Sequence, residues 1–218
     1  GTRGVGSVFS QMFASKNATC FGSYFKNEMT AKKIEEFIQS KGKSFMPLKS
    51  NNYTKLVDKL QGKKLNCLVL NAAPSIRQID PSELSKSNFK DEFDRFYNLT
   101  MNDIQRFKDY LATDATIINV STTYIVDKPK GFAHYYDAKK AIENDLKKFS
   151  KKYPKLTILN FRLPKMHTDQ TNTNIVSDVT LSPVKVVDLV IKDYLARRGL
   201  TGFHAIEYDL EKLYERDI

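Results

Sequence analysis

The sequence predicts an α/β fold built on a doubly wound parallel sheet. Two observations carry that expectation. Short runs of β-branched and aromatic residues alternate with helical patterns along the chain, as strands joined by helical crossovers do. The stretch Asn66–Ala73, NCLVLNAA, is nearly all apolar, as a parallel strand covered on both faces requires. No repeat or low-complexity linker divides the 218 residues. One domain spanning 1–218 is therefore expected, with 41% hydrophobic residues to fill a sizeable core.

Taken in order, the chain opens on Gly1-Thr2-Arg3-Gly4-Val5-Gly6 and passes into a helical pattern, Val8, Phe9, Met12 and Phe13. Glycines before a helix let the backbone approach a pyrophosphate, whose charge the helix N-terminus favours. Ala18–Phe25 reads as a strand. Its end, Ser23-Tyr24-Phe25-Lys26-Asn27, holds no acid before Glu28. An acid there bonds the ribose hydroxyls of NAD and repels a 2′-phosphate. Ser23, Lys26 and Arg3 can bond such a phosphate, so NADPH is the expected dinucleotide.

Ala31–Lys41 is a helix with Ile34, Phe37 and Ile38 inward, ended by Gly42. Ser44–Leu48 is a strand, and Tyr53–Leu60 a helix carrying Leu56, Val57 and Leu60. Phe89–Leu111 is a long helix with Phe93, Phe96, Leu99, Ile104 and Phe107 as its apolar positions. The β-formers Thr116–Val120 end in three hydroxyls, Ser121, Thr122 and Thr123. A Pro/Gly loop leads to a helix with the stripe Ile142, Leu146, Phe149 and Tyr153, spaced four, three and four apart. Leu156–Pro164 is a further strand, followed by a polar loop, Asp169–Ser177, expected to act as a mobile substrate lid. Ser182-Pro183 starts a helix through Leu195 with Val186, Val187, Val190 and Ile191 inward. Phe203–Tyr208 is the last strand, and Leu210–Ile218 a charged helical tail.

Composition narrows the partners. With 35 Lys+Arg against 25 Asp+Glu the net charge is +10, which favours anionic partners such as nucleotide phosphates, coenzyme A or an acidic carrier protein. Nucleic acid is not favoured, because no basic stretch interleaves with aromatics. No apolar run approaches the roughly 20 residues that span a bilayer, and no basic-then-apolar leader is visible, so a cytoplasmic location is expected. Cys20 and Cys67 lie in apolar strand segments and read as buried free thiols. The scattered His134, His167 and His204 give no metal-ligand spacing.

The chemistry concentrates between Ser121 and Ile142. A Tyr and a Lys four residues apart on a helix share one face, so an ammonium can sit beside a phenol and favour its ionisation. With a hydroxyl delivered from a strand end, such a phenol is a proton donor for a carbonyl. Two registers satisfy the spacing, Tyr135 with Lys139 and Tyr136 with Lys140.

This region resembles the short-chain dehydrogenase/reductase family, whose fold is Rossmann-like. There the active-site Lys is followed two positions later by a small residue and three later by an aliphatic one; Lys139 has Ala141 and Ile142, whereas Lys140 has Ile142 and Glu143. The family's Ser lies thirteen residues before its Tyr, where this chain has Thr122 before Tyr135 in Asn119-Val120-Ser121-Thr122. The resemblance therefore selects Tyr135, Lys139 and Thr122. It extends to Gly4 and Gly6, which match the last glycines of the cofactor loop, with Thr2, Arg3 and Val5 around them. It also covers Leu70-Asn71-Ala72-Ala73, similar to the family's N-N-A-G with Leu70 in place of the first Asn, Asn98 in Tyr97-Asn98-Leu99, Pro164, and Thr168 one position early.

What the resemblance implies is a carbonyl reductase, closest to 3-oxoacyl reductases. Tyr135 would be the proton donor, Lys139 its tuning cation and ribose ligand, and Thr122 the partner of the carbonyl oxygen. Asn98 would hold a relay water. Ser23, Tyr24 and Lys26 flank the NADPH ribose, Asn71, Ala72 and Ala73 its adenosine side, and Pro164 and Thr168 its nicotinamide. A 3-oxoacyl thioester, on acyl carrier protein or coenzyme A, is the implied substrate, in a dimer or tetramer. The family's first strand has no counterpart in front of Gly1, so residues preceding Gly1 or another chain are expected to supply it. Ala73 and Lys165 replace glycines and Thr122 replaces serine. These departures support a second reading, a reductase-like domain that binds or scaffolds without catalysis.

Overall fold

The computed structural model describes residues 2–50, 54–80, 82–83, 85–164, 166 and 181–208. Thr168, the polar loop Asp169–Ser177 and the tail Leu210–Ile218 lie outside them. The elements in chain order are α1 (Gly4–Ser15), β1 (Cys20–Tyr24), α2 (Glu28–Ser40), β2 (Phe45–Lys49), α3 (Thr54–Leu60) and β3 (Leu65–Leu70). They continue with α4 (Lys86–Phe107), β4 (Leu111–Thr122), α5 (Tyr124–Asp127), α6 (Ala133–Lys152), β5 (Thr157–Leu163), α7 (Pro183–Ala196) and β6 (Gly202–Glu207). Every strand pairing is parallel, as the alternation of strands and helices predicts.

The chain gathers into two compact units, one of Gly1–Lys64 with Ser182–Ala196 and one of Leu65–Leu181 with Arg197–Ile218. In the first, β1 pairs with β2, and α2 covers them through Ala31 and Ile38. The α2 start is fixed by Asn27, whose side chain accepts from the Thr30 N–H at 3.0 Å, a cap worth about 1 kcal/mol. Helix α7 packs on α1, with the Tyr194 ring edge-on to Phe13 at 5.5 Å. All four residues expected to face inward on α7, Val186, Val187, Val190 and Ile191, are buried. Phe37 and Val57 depart from the expectation and are 50% and 40% exposed. Ala31 and Ile38 set the buried line of α2, and Leu56 and Leu60 that of α3, so each outlier falls about one position off the stripe.

The second unit carries the strand order β3-β4-β5-β6 with α4 and α6 packed together. Its core joins Ile117 and Ile158 of adjacent strands to Ile142 and Leu146 of α6 and Ile104 of α4. Each of these buried aliphatics contributes about 1.5–3 kcal/mol of burial free energy. Strand β3 departs from the expectation. Leu65, Cys67, Leu68 and Val69 are only half-buried, because among the described residues β3 hydrogen-bonds to one neighbour, β4, and forms an edge. The strands thus form two hydrogen-bonded sets, β1-β2 and β3-β4-β5-β6. The Pro/Gly loop contains the short helix α5, tied back where the Thr123 N–H donates to the Leu163 carbonyl at 3.1 Å.

Candidate active site

The candidate site is built where β4 ends and α6 begins. The last β4 residue, Thr122, pairs in register with Leu163 of β5, so its hydroxyl emerges at a fixed height of the sheet. Helix α6 starts eleven residues later, at Ala133, and its inward face presents Tyr135, Ala138, Lys139 and Ile142. Tyr135, Lys139 and Thr122 are 7%, 5% and 6% exposed. Tyr136 is half-buried and Lys140 exposed, so the helix turns the Tyr135/Lys139 pair inward.

The Lys139 Nζ lies 6.0 Å from the Tyr135 ring centroid and donates to the Val120 carbonyl at 2.8 Å. The Thr122 hydroxyl accepts from the Tyr124 N–H at 3.2 Å. Aromatic rings wall the phenol: Phe96 of α4 stands edge-on at 5.0 Å and Tyr124 of α5 at 6.2 Å. Ala73 and Ile76 pack into the same cluster, which puts the end of the Asn71-Ala72-Ala73 turn against it. Pro164 is buried just beyond β5.

Electrostatics correct one expectation. Burial pushes the Tyr135 phenol well above its ordinary value, opposed by a hydrogen bond with Thr122 and reinforced by Tyr124. Burial also pulls the Lys139 ammonium down to about 8, opposed by Glu143. The expected lowering of the phenol by Lys139 is therefore not what the structure shows: desolvation of the ring dominates, and the Lys139 ammonium gives its hydrogen bond to a backbone carbonyl. Tyr135 stays protonated at neutral pH, the state a proton donor needs. Asn98 is exposed on α4, while its neighbours Phe96 and Thr100 are buried.

The first unit carries the candidate phosphate-binding residues. Helix α1 begins at Gly4, with Arg3 in extended conformation as its cap residue and φ of 48° at Gly4. Gly4, Val5 and Gly6 thus form the first helical turn. Thr2, Val5 and Gly6 are buried, and Arg3 is exposed. No acid sits in that turn to oppose an anion at the twelve-residue helix's positive end. At the end of β1, Ser23 and Lys26 are exposed, with the Lys26 Nζ over the Phe25 ring at 5.6 Å. Tyr24 lines a cavity of about 300 Å³ shared with Lys32, Lys55 and Lys59 and with Glu28 and Glu35. Lys55 and Lys59 escaped the sequence reading because they lie some 30 residues from Tyr24 in the chain and meet it only through α3.

Also missed were four residues around the β4 end. Ser121 donates to Glu143 at 2.7 Å, and Arg162 of β5 donates to both Glu143 oxygens, at 3.2 and 2.8 Å. Glu143 had a readable signal, being a carboxylate one helical turn after Lys139 on the same face. Buried His134 had none, since its neighbours are set by α4.

The chain matches no protein-family model and no curated protein. Solved structures do match. The angucycline C-6 ketoreductase LanV with bound NADP superposes with a TM-score of 0.78 at 18% identity, over 94% of this chain and 90% of that one. A short chain dehydrogenase from Burkholderia cenocepacia J2315 in complex with NADP gives 0.80 at 15%, covering 96% and 93%. A dehydrogenase/reductase from Sinorhizobium meliloti 1021 gives 0.77 at 17%, covering 95% and 90%. The protein therefore has the α/β, Rossmann-like fold of the short-chain dehydrogenases and reductases.

Proposed function

We propose that the protein is an NADPH-dependent reductase that converts a ketone to an alcohol. The observation that carries this reading is the burial together of Tyr135, Lys139 and Thr122 at the end of β4, in a fold shared with NADP-bound ketoreductases. The donors present suit the dinucleotide. The first turn of α1 offers backbone N–H groups without a competing acid, and Ser23, Lys26 and the lysines around Tyr24 suit a phosphate. When bound, NADPH supplies the hydride for the carbonyl carbon. Tyr135 gives its phenolic proton to the carbonyl oxygen, and the Thr122 hydroxyl bonds that oxygen as charge develops on it. Lys139, whose ammonium burial pulls down to about 8, would bond the ribose hydroxyls. Asn98 and Thr168 complete the proposed set as water ligand and carboxamide contact, beside Asn71, Ala72, Ala73 and Pro164.

The proposed substrate is a 3-oxoacyl thioester. The net charge of +10 supports an anionic carrier, coenzyme A or acyl carrier protein, and a homodimer or tetramer in the cytoplasm is the assembly proposed. The test is NADPH fluorescence enhancement on mixing, followed by NADPH oxidation with acetoacetyl-coenzyme A across a salt series. Enhancement, turnover and a KM that rises with salt are expected. A KM indifferent to salt would remove the anionic carrier, and absence of enhancement would remove the reductase. The exposure of Asn98 and the bond from Lys139 to Val120 favour the second reading, a domain that binds without catalysis; fluorescence enhancement without turnover of any ketone would select it.

A further inference from the structure

Buried charge does not end at Lys139. One helical turn on, Glu143 is 6% exposed on the same face of α6, and the two side chains grip consecutive residues of β4. The Lys139 Nζ donates to the Val120 carbonyl at 2.8 Å, and Ser121 Oγ donates to Glu143 Oε1 at 2.7 Å. The next residue is Thr122. Glu143 is itself held from the sheet, by Arg162 Nε at 3.2 Å to Oε1 and Nη2 at 2.8 Å to Oε2. Arg162 Nη1 in turn donates to Glu207 Oε2 at 3.3 Å. Ser121, Arg162 and Glu207 are register partners across β4, β5 and β6, so this ladder crosses the sheet one residue before the level of Thr122.

Such a network is not a stability device by default, because desolvating charges costs about as much as pairing them returns. Its placement has a more specific consequence. It ties the strand end bearing the hydroxyl to the helix face bearing the phenol and the ammonium, and it sets a fixed anion near that ammonium. We propose that Glu143, anchored by Arg162, is a positioning residue that sets the charge state of Lys139 and the course of the strand end carrying Thr122. The assignment of the reaction rests on the reductase reading; the coupling of Glu143 to Lys139 does not.

Burial raises the Glu143 carboxyl, but hydrogen bonds from Arg162 and Ser121 outweigh it and hold it below the ordinary range, so it is ionised at neutral pH. Among the described residues, the Tyr135 phenol on α6 lies beside Lys139, with Tyr124 of α5 edge-on to the Tyr135 ring, and the Arg162 guanidinium on β5 is turned to Glu143. Helix α4 faces this region with the uncharged Phe96.

The experiment is a pH titration of the Lys139 side chain by ¹³C NMR in the ligand-free protein, in wild type, Glu143→Gln and Glu143→Asp. The midpoint should move to lower pH in Glu143→Gln, and to a lesser extent in Glu143→Asp, which keeps the charge but shortens its reach. An unchanged midpoint in folded Glu143→Gln overturns the proposal. If that variant does not fold, Glu143→Asp decides, and an unchanged midpoint there overturns it equally. With acetoacetyl-coenzyme A and NADPH, the basic limb of the kcat profile should move the same way. A rate lowered equally at every pH, with an unmoved limb, would mean a merely structural role. A wild-type protein that neither binds NADPH nor reduces a ketone would defeat the reductase reading, while the titration still decides the coupling.

Discussion

His134 offers a sharp test of the packing around the site. Its ring is fully buried, one residue before Tyr135, and neither ring nitrogen has a hydrogen-bond partner. Leaving a buried donor or acceptor unsatisfied costs about 1–3 kcal/mol. Replacing the ring by leucine removes both nitrogens and keeps an apolar filling against Phe96, whose ring centroid is 6.2 Å away. Allowing for imperfect packing, His134→Leu should stabilise the fold by about 1 kcal/mol, raising Tm by about 2–4 °C for a chain of this size. The pH dependence has a definite sign. Burial lowers the His134 pKa below its ordinary 6.5, with Glu92 opposing and Arg77 and Arg95 reinforcing. The folded state therefore binds fewer protons than the unfolded one, so stability is complete above about pH 6.5 and declines as pH falls toward the depressed value. Thermal melts from pH 5 to 8 should show that decline in wild type and a shallower one in His134→Leu. A variant less stable than wild type at pH 7.5, with an unaltered slope between pH 5 and 7, would refute the reasoning.

Two further substitutions probe the frame that holds the site. Gly131 has φ of 86°, and an added Cβ would lie 2.7 Å from Gln78 Cγ and 3.0 Å from the Ile79 carbonyl oxygen, so Gly131→Ala should cost about 1–3 kcal/mol, read as a fall in the urea midpoint. Arg162→Met strands the Glu143 carboxylate, whose side chain is 7% exposed, and should cost about 3–5 kcal/mol. Adding E143Q to that variant should recover part of the loss in the same urea titration.

How much the sequence reveals depends on how local the determinant is. The inward face of α7 follows from periodicity within one helix and could be read, whereas the spacing on α6 allowed two Tyr/Lys registers and the family resemblance selected the one that the helix turns inward. Phe37 and Val57 show the limit of that reading: a stripe fixes a face to within about one position, and the neighbouring element chooses the residue. The exposure of β3 depends on which strands flank it, so its apolar run said nothing of an edge. The ionisation of Tyr135 lies beyond the sequence for a related reason. Helical spacing puts a cation nearby, but burial of the phenol among Phe96 and Tyr124 decides the outcome. The Ser121–Glu143–Arg162–Glu207 ladder exists only through strand register, which no single segment encodes.

The most direct measurement is NADPH-dependent reduction of acetoacetyl-coenzyme A by Tyr135→Phe and Tyr136→Phe, with NADPH binding followed by fluorescence in both. Loss of the buried phenol should lower the rate by about 10²–10⁴ while binding persists, and Tyr136→Phe should stay near wild type. A full rate in Tyr135→Phe, or its loss in Tyr136→Phe, would contradict a proton donor at position 135.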